Sequence, residues 1–271
     1  MVKSLKFLSL PVFLTFFLIS CSSEYSSDGG LDLSKRTFYN EFMACTAGPD
    51  YSPASMTEMI ADWHKLISTE DLMGAWGYAP TSEDMSNGWW ELQWTSKEAA
   101  DTAWAAWLAN EAATEWTQKY SSVLQCNNEG RGKFTGVFPI EAEEFGALPS
   151  SGYFLAAAWL CKFNEGSGYT DAVTFLPGFT SAVRSSEGYA GTSYHFGNYF
   201  SINNPDADFL WVDFANSRES MDQAVEAFIA DVEPTQFPIF SKFATCGDTP
   251  DIYDGWTLYD SENKAYMPSF E

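Results

Sequence analysis

Residues 87–107, NGWWELQWTSKEAADTAWAAW, contain five of the eleven tryptophans of the chain. The first part of the stretch has apolar side chains at every second position, which is the period of a β-strand: Trp90, Leu92 and Trp94. The second part has apolar side chains spaced along one face of an α-helix: Trp104, Trp107 and Leu108. The stretch therefore predicts a strand followed by a helix, each with tryptophan on its buried face.

A second copy of this pattern begins about 120 residues later, so the chain contains an internal repeat. Phenylalanine and aliphatic residues replace most of the tryptophans in the copy. At a shift of 120 the comparison pairs Trp89 with Phe209, Leu92 with Val212, Trp94 with Phe214 and Cys126 with Cys246. At a shift of 121 it pairs Ala100 with Met221, Trp104 with Val225 and Trp107 with Phe228. Tryptophans with aliphatic counterparts are typical of core packing rather than of a binding surface.

Each copy is predicted to contain strand, helix, strand, strand, helix and strand in that order. The predicted strands of the first copy cover 37–46, 72–80, 88–95 and 132–138, with helices at 54–67, 96–109 and 113–123. Those of the second copy cover 153–163, 191–201, 207–215 and 252–259, with helices at 170–184 and 217–231. Ser96 and Ser217 are N-cap residues at equivalent helix starts. This order is the βαββαβ motif of a ferredoxin-like module, so the fold class is α+β.

Two such modules in tandem resemble the dimeric α/β barrel superfamily, which includes the antibiotic-biosynthesis-type monooxygenases and the NIPSNAP-like proteins. The resemblance covers about residues 36–260 and rests on element order, on the repeat and on the aromatic strand-then-helix pattern. It implies that the two modules pair sheet to sheet as a pseudo-dimeric barrel, and we expect a monomer. The predicted boundaries are 36–139 for the first module, 140–151 for a linker, 152–260 for the second module and 261–271 for a tail.

Four cysteines remain if Cys21 is lipidated, and an even number in an exported protein predicts two disulfides. In the topology that the resemblance implies, the first and last strands of a module are antiparallel neighbours. The pairs Cys45–Cys126 and Cys161–Cys246 then lie within the modules. Pairing across the modules, Cys45 with Cys161 and Cys126 with Cys246, also respects the repeat and stays open at this point.

The first residues of the chain have the pattern of a bacterial lipoprotein signal. Lys3 and Lys6 precede an apolar run, residues 7–19, that is short for a membrane span. Residues 18–21, Leu-Ile-Ser-Cys, resemble a lipobox that ends at the lipidated residue Cys21. We expect a signal peptide at 1–20, a flexible tether at 21–35 and attachment to the outer membrane, facing the periplasm or the cell surface.

The chain is strongly acidic, with 37 acidic and 14 basic residues. Cleavage after residue 20 removes two lysines and no acidic residue, which leaves a formal net charge of −25. A surface of this charge repels nucleic acid and anionic lipid headgroups. Nucleic acid is therefore excluded as a partner, and membrane attachment is expected through the lipid.

Candidate site residues follow from the predicted strand faces. Members of the superfamily bind ligands in the space between the two sheets, and the repeat at a shift of 120 places one set of side chains there. The predicted ligand-binding residues are Trp89, Gln93, Phe209 and Trp211. Glu91 and Asp213 lie among them as candidate catalytic carboxylates, because burial beside aromatic rings raises a carboxyl pKa. The alternative is that both carboxylates are solvated or bonded to neighbouring strands.

His195 is the third candidate catalytic residue. If it faces the cavity beside Asp213, an acid–base pair or a haem ligand is conceivable. The simpler alternative is a packed histidine among aromatic side chains. The sequence contains no Gly-x-Ser-x-Gly, His-Glu-x-x-His, phosphate-loop or dinucleotide motif, and we expect neither a cofactor nor a metal.

Three functions remain open on this basis. The first is a lipid-anchored envelope protein that binds a small apolar or aromatic molecule in the cavity between the sheets. The second is a cofactor-independent oxygenase or isomerase of the dimeric α/β barrel type. The third is a structural or interaction lipoprotein, which an exposed apolar patch without an enclosed cavity would favour.

Overall fold

The computed structural model describes residues 31–270, which contain ten β-strands and six α-helices. The strands are β1 Thr37–Ala47, β2 Leu72–Pro80, β3 Gly88–Trp94, β4 Leu124–Cys126, β5 Gly132–Val137, β6 Tyr153–Phe163, β7 His195–Ser201, β8 Phe209–Ala215, β9 Ala244–Cys246 and β10 Asp251–Asp260. The helices are α1 Pro53–His64, α2 Lys97–Leu108, α3 Glu111–Lys119, α4 Tyr169–Ser185, α5 Arg218–Ala227 and α6 Glu233–Phe240. A π-helical turn, Phe228–Val232, joins α5 to α6.

Three of these elements were not predicted from the sequence, and each has a local reason. Strands β4 and β9 have three residues each, which is too short to show a period of two. Helix α6 contains Pro234 near its start and Pro238 within it. Proline in a helix interior is unfavourable, so the local sequence gives no helix signal where tertiary packing maintains a helix.

Hydroxyl side chains start the repeated helices, as the sequence predicted. The Ser96 side chain accepts a hydrogen bond from the Ala99 amide at the start of α2. Ser217 does the same with the Ser220 amide at the start of α5. Both caps satisfy an amide that has no partner within its helix. The two helices therefore begin at the same point of the repeat.

The strands form one closed barrel of eight antiparallel strands. Within each module the hydrogen-bonded order is that of a ferredoxin-like sheet, β2-β3-β1-β5 in the first and β7-β8-β6-β10 in the second. The modules join through their edge strands, since β5 pairs with β7 and β10 pairs with β2. Closure leaves none of these eight strands with an unpaired edge. The predicted fold class of two ferredoxin-like modules in an α/β barrel is confirmed.

The outer face of the first sheet packs against its helices, as the opening stretch predicted. Trp90, Leu92 and Trp94 on β3 are buried in the core with Trp63 and Ile60 of α1. Trp63 and Trp90 meet edge to face with ring centroids 5.0 Å apart. Fully burying side chains of this size stabilises the fold by about 1.5–3 kcal/mol each. Most of the tryptophan cluster is therefore core, as its spacing indicated.

The face assignment of the second module was wrong by one residue. Trp90 lies opposite Met43, and Met43 is two residues before Cys45. In the second module Trp211 lies opposite Trp159, which is likewise two residues before Cys161, so Trp90 and Trp211 are equivalent. The true shift for this strand is therefore 121 and not 120. Because side chains alternate along a strand, a slip of one residue moves the whole set to the other face. Three predicted interior residues consequently face the helices: Phe209, Trp211 and Asp213.

Each module contains its own disulfide. Cys45 is bonded to Cys126, and Cys161 is bonded to Cys246. In both modules the second cysteine lies on a three-residue strand that pairs with the end of the module's first strand. The predicted pairing within the modules is confirmed, and the alternative across the modules is wrong.

Within residues 31–270, no helix is long and apolar enough to cross a lipid bilayer. The predicted signal peptide, most of the tether and Cys21 lie outside the residues that the structure describes.

Candidate functional site

The barrel interior is filled by aromatic side chains from both modules. Phe42 contacts Phe134 and Tyr199 edge to face, with ring centroids 5.5 and 5.1 Å apart. Tyr78 packs in the same way against Phe154, at 5.5 Å. Edge-to-face contacts of this length are a preferred packing of aromatic rings. The ligand cavity predicted between the sheets is therefore replaced by a packed aromatic core.

Two predicted ligand-binding residues do face this interior. Trp89 is half-buried, and its indole N–H donates to the Tyr253 hydroxyl of the other module over 3.0 Å. Gln93 lies on the same face of β3, two residues beyond Glu91. Their position confirms the predicted face of β3. Their predicted role in binding a ligand between the sheets loses its support, because the aromatic rings occupy that space.

Glu91 lies at the centre of the barrel interior, with its side chain almost completely buried. Its Oε1 accepts a hydrogen bond from Asn40 Nδ2 at 2.6 Å. Its Oε2 accepts from the Tyr78 hydroxyl at 2.5 Å and from the Tyr199 hydroxyl at 3.3 Å. Burial raises the pKa of Glu91 to about 7, while the bonds from Tyr78, Asn40 and Tyr199 lower it. Glu91 therefore joins the two modules through a carboxyl group that is easily protonated.

His195 faces the interior but does not form the predicted pair with Asp213. The imidazole stacks on the Phe214 ring with centroids 4.8 Å apart, and its Nδ1 is 3.0 Å from the Ser193 carbonyl oxygen. Asp213, the neighbour of Phe214, points to the opposite face of the sheet. Burial lowers the pKa of His195 to about 4, so the ring is neutral at pH 7. These surroundings are those of a packed histidine.

Two cavities lie on the outer faces of the sheets, each between a sheet and the helices of its module. The cavity of the second module has a volume of about 630 Å³. We call it the second-module cavity, and aromatic residues form much of its wall: Trp159, Phe175, Phe179, Trp211, Phe228 and Phe240. The first-module cavity has a volume of about 320 Å³. It is walled by six tryptophans: Trp63, Trp90, Trp94, Trp104, Trp107 and Trp116.

Asp213 lies in the wall of the second-module cavity, where three side chains donate hydrogen bonds to it. Its Oδ1 accepts from the Tyr194 hydroxyl at 2.7 Å and from the Trp211 indole at 2.9 Å. Its Oδ2 accepts from the Trp159 indole at 3.2 Å. A carboxylate has about four acceptor positions, so Oδ2 retains one for a further donor. Burial raises the pKa of Asp213, and the three donors oppose that rise.

The first module holds a buried carboxylate in the corresponding place, and there it is neutralised. In the first module Glu41 on β1 lies opposite Leu92 on β3. In the second module Ala157 on β6 lies opposite Asp213 on β8, so the carboxylate stands on the neighbouring strand of the same pair. The Arg131 guanidinium is 3.2 Å from Glu41 and stacks on the Trp104 ring. The residue that corresponds to Arg131 by strand register is Pro250. Among residues 31–270, no cationic side chain lies within ion-pair distance of Asp213.

The structure thus distributes the three candidate catalytic residues over three places. Glu91 lies at the centre of the interior, His195 is stacked on Phe214, and Asp213 lies outside the barrel wall. The donors Trp159 and Tyr194 were not among the residues predicted from the sequence. Strand register would have identified Trp159, because it lies two residues before Cys161 and opposite Trp211. Within the described range 31–270, no group of three or more His, Cys, Asp or Glu side chains is placed to hold a metal ion.

No protein-family model matches the sequence, and no curated protein sequence is similar to it. Solved structures share the fold at low sequence identity. A candidate monooxygenase from Fusobacterium nucleatum is 8% identical with a TM-score of 0.50, covering 82% of this chain and 92% of that one. A candidate chlorite dismutase is 12% identical with a TM-score of 0.49, covering 84% and 98%. The chlorite dismutase from Candidatus Nitrospira defluvii, in complex with imidazole, is 12% identical with a TM-score of 0.47, covering 82% and 92%. The Fusobacterium nucleatum structure agrees with the barrel fold that the strand pairing shows, and none of these neighbours carries an activity to this chain.

Proposed function

We propose that the protein binds a small organic cation with an apolar or aromatic body in the second-module cavity. The observation that carries the proposal is Asp213, a carboxyl group in an aromatic cavity that has no ion-pair partner among residues 31–270. The sequence predicted a small apolar or aromatic ligand in the barrel interior. The proposed ligand carries a positive charge in addition, and its site lies on the outer face of the second sheet.

The Asp213 carboxylate is a partly buried charge. An unpaired carboxylate in an apolar environment costs several kcal/mol, and a fold compensates with a cation or with hydrogen bonds. The first module compensates with Arg131, whereas the second module has three neutral donors and an accessible cavity instead. A cationic ligand would supply the missing charge. Aromatic faces within about 6 Å of a cation add about 0.5–2 kcal/mol.

The charge of the whole chain favours the same ligand class. With 37 acidic residues against 14 basic ones, the protein attracts cations to its surface and repels anions. Two acidic side chains and one basic side chain also line the cavity: Asp222, Glu233 and Arg218. A hydrophobic ammonium compound therefore fits both the long-range field and the wall of the cavity.

The test compares two ligands of nearly the same shape, 1-naphthylmethylammonium and 1-naphthalenemethanol, by calorimetric titration at pH 7.5. We expect the ammonium compound to bind about tenfold more tightly, because a hydrogen bond to a charged group contributes about 1.5–3 kcal/mol. Asp213→Asn should remove this preference and leave binding of the alcohol nearly unchanged. Since burial raises the pKa of Asp213, ammonium affinity should decrease as the pH falls and the carboxylate is protonated.

Asp222→Asn is the matched control, because Asp222 also lines the cavity but is exposed on α5. It removes the same charge and should change ammonium affinity less than about threefold. Near-ultraviolet circular dichroism checks that both variants retain native packing. Equal affinity for the two ligands, or an unchanged preference in Asp213→Asn, would contradict the proposal.

Acid–base catalysis is the second candidate for the same cavity. The observation that favours it is the raised pKa of Asp213 in a site that a small molecule can reach. It corresponds to the cofactor-independent isomerase or oxygenase reading, with Asp213 alone as the proton acceptor. Recovery of a chemically altered ligand after incubation with the wild type, but not with Asp213→Asn, would favour this candidate over simple binding. A structural or interaction role retains support, because exposed apolar side chains line the second-module cavity: Val225, Ile229 and Phe237.

The proposed cellular setting is the bacterial envelope, with a lipid anchor on Cys21. The support is the sequence of residues 18–21 after the apolar run. We expect mass spectrometry of the membrane-bound protein to show an acylated peptide that begins at Cys21. Cys21→Ser should release the protein from the outer-membrane fraction, while Ser23→Ala, as the control, should leave it attached. An unmodified Cys21 in the membrane fraction would refute the anchor.

A further inference from the structure

The first-module cavity lies under α1, α2 and α3, on the outer face of the first sheet. Tryptophans from four elements form its walls, so that indole rings surround the volume of about 320 Å³. Their arrangement is fixed by contacts among the rings. Trp116 packs edge to face on Trp107 at 5.7 Å, and on Trp90 at 6.4 Å. This volume is large enough for a planar molecule of two fused rings.

The lining contains no charged side chain, in the part of the chain that the structure describes. This is unusual in a chain with 37 acidic residues. The polar lining residues carry hydroxyl and amide groups: Ser68, Thr69, Asn110, Thr117, Tyr120, Ser121, Gln125 and Asn128. The nearby carboxylate of Glu41 is already bound by Arg131 and by the Trp104 indole. A charged ligand would lose hydration without gaining an opposite charge, so the cavity selects uncharged molecules.

Two indole N–H groups of the cavity wall lack an acceptor. Trp116 donates to the Met59 carbonyl and Trp104 donates to Glu41, whereas the buried N–H groups of Trp90 and Trp94 have no hydrogen-bond partner among residues 31–270. A buried donor without a partner costs about 1–3 kcal/mol. Both N–H groups are shielded from solvent, so a ligand that carries a carbonyl oxygen satisfies one of these donors when the indole ring turns toward the cavity.

We infer that the first-module cavity is a second binding site, and that its ligand is an uncharged planar aromatic molecule with a hydrogen-bond acceptor. This site is separate from the second-module cavity and selects by the opposite property, since it excludes charge. Its existence does not depend on cation binding by Asp213.

The test uses prodan, a neutral naphthalene ketone whose fluorescence reports both polarity and hydrogen bonding to its carbonyl group. We expect saturable binding of one prodan molecule with energy transfer from tryptophan. Ala103, a half-buried residue of α2 that lines the cavity, is replaced by phenylalanine to fill it. Ala103→Phe should weaken prodan binding about tenfold or more and leave binding of 1-naphthylmethylammonium unchanged.

Trp94→Phe and Trp90→Phe provide a second readout that does not depend on filling the cavity. Each keeps an aromatic wall and removes one N–H group. One of the two should shift the emission of bound prodan to shorter wavelength, because the carbonyl loses its hydrogen bond. Prodan emission unchanged in both variants would overturn the role of the unpaired donors.

Different results would contradict the second binding site and the proposed cation binding. Absence of prodan binding, insensitivity to Ala103→Phe, or displacement of prodan by 1-naphthylmethylammonium would overturn the second site. Absence of prodan binding and insensitivity to Ala103→Phe would both leave the preference for the ammonium ligand, and its loss in Asp213→Asn, unaffected. Conversely, equal binding of the ammonium compound and the alcohol would overturn the proposed function and leave the prodan site standing.

Discussion

Replacing both cysteines of either disulfide by alanine is expected to lower the free energy of unfolding by about 4 kcal/mol. The physical reason is the entropy of the unfolded chain, which the bond restricts by closing a long loop. The bonded cysteines are 81 residues apart in the first module and 85 in the second. The loss depends on the logarithm of loop length, so the two double variants should differ by about 0.1 kcal/mol or less from this cause.

Urea unfolding of Cys45→Ala/Cys126→Ala and Cys161→Ala/Cys246→Ala measures the effect. Alanine is preferred to serine, because Cys45 and Cys161 are buried and a hydroxyl group there would need a partner. The wild type under reducing conditions is the control and should lose more stability than either variant. Unchanged unfolding midpoints in both variants would show that the modules are held by packing alone.

Replacing Glu91 by glutamine is expected to remove a pH dependence of about 2–3 kcal/mol from the stability of the protein. Burial raises the pKa of Glu91 from 4.5 to about 7. Between these two values the folded state holds a proton that the unfolded state has released. Stability from this group is therefore full below about pH 4.5 and is lost as the pH rises to about 7.

The interior can accept the neutral side chain. Asn40 Oδ1 is buried and has no hydrogen-bond partner in the described part of the chain, and Asn40 Nδ2 donates to Glu91. Rotation of the Asn40 amide by 180° would turn Oδ1 toward residue 91. There it would accept the proton of a glutamic acid or an N–H of a glutamine. Glu91→Gln therefore keeps the hydrogen bonds and removes only the ionisation.

The measurement is urea unfolding of the wild type and of Glu91→Gln at pH 5 and pH 8. The difference between the two proteins isolates Glu91, because every other titrating group is common to both. We expect the variant to gain about 2–3 kcal/mol relative to the wild type on going from pH 5 to pH 8. Glu83→Gln, which removes an exposed glutamate on the β2–β3 loop, should show no such change. A constant difference between Glu91→Gln and the wild type would contradict the raised pKa.

Local patterns in the sequence determined the elements, the repeat and the fold class. The bounds of β2 and β6 agree with prediction, because each strand is a nearly unbroken run of apolar and small residues between polar or glycine-containing segments. The serine caps of α2 and α5 are equally local. The disulfides followed from fold topology, since the first and last strands of a ferredoxin-like module are neighbours. These properties depend on residues close in sequence or on a shared topology.

The site was decided by the tertiary structure, because strand register depends on pairing between residues far apart in sequence. A shift of 120 and a shift of 121 fit the sequence almost equally well, yet they place Asp213 on opposite faces of the sheet. Only the pairing of Trp211 with Trp159 settles the choice and moves Asp213 to the helix side. The counter-ion of Glu41 also depends on pairing between distant residues, since Arg131 is 90 residues away in the sequence. In the second module Pro250 stands at the position that corresponds to Arg131. The sequence alone thus determined which residue types were available, and the folded chain decided which of them share a cavity.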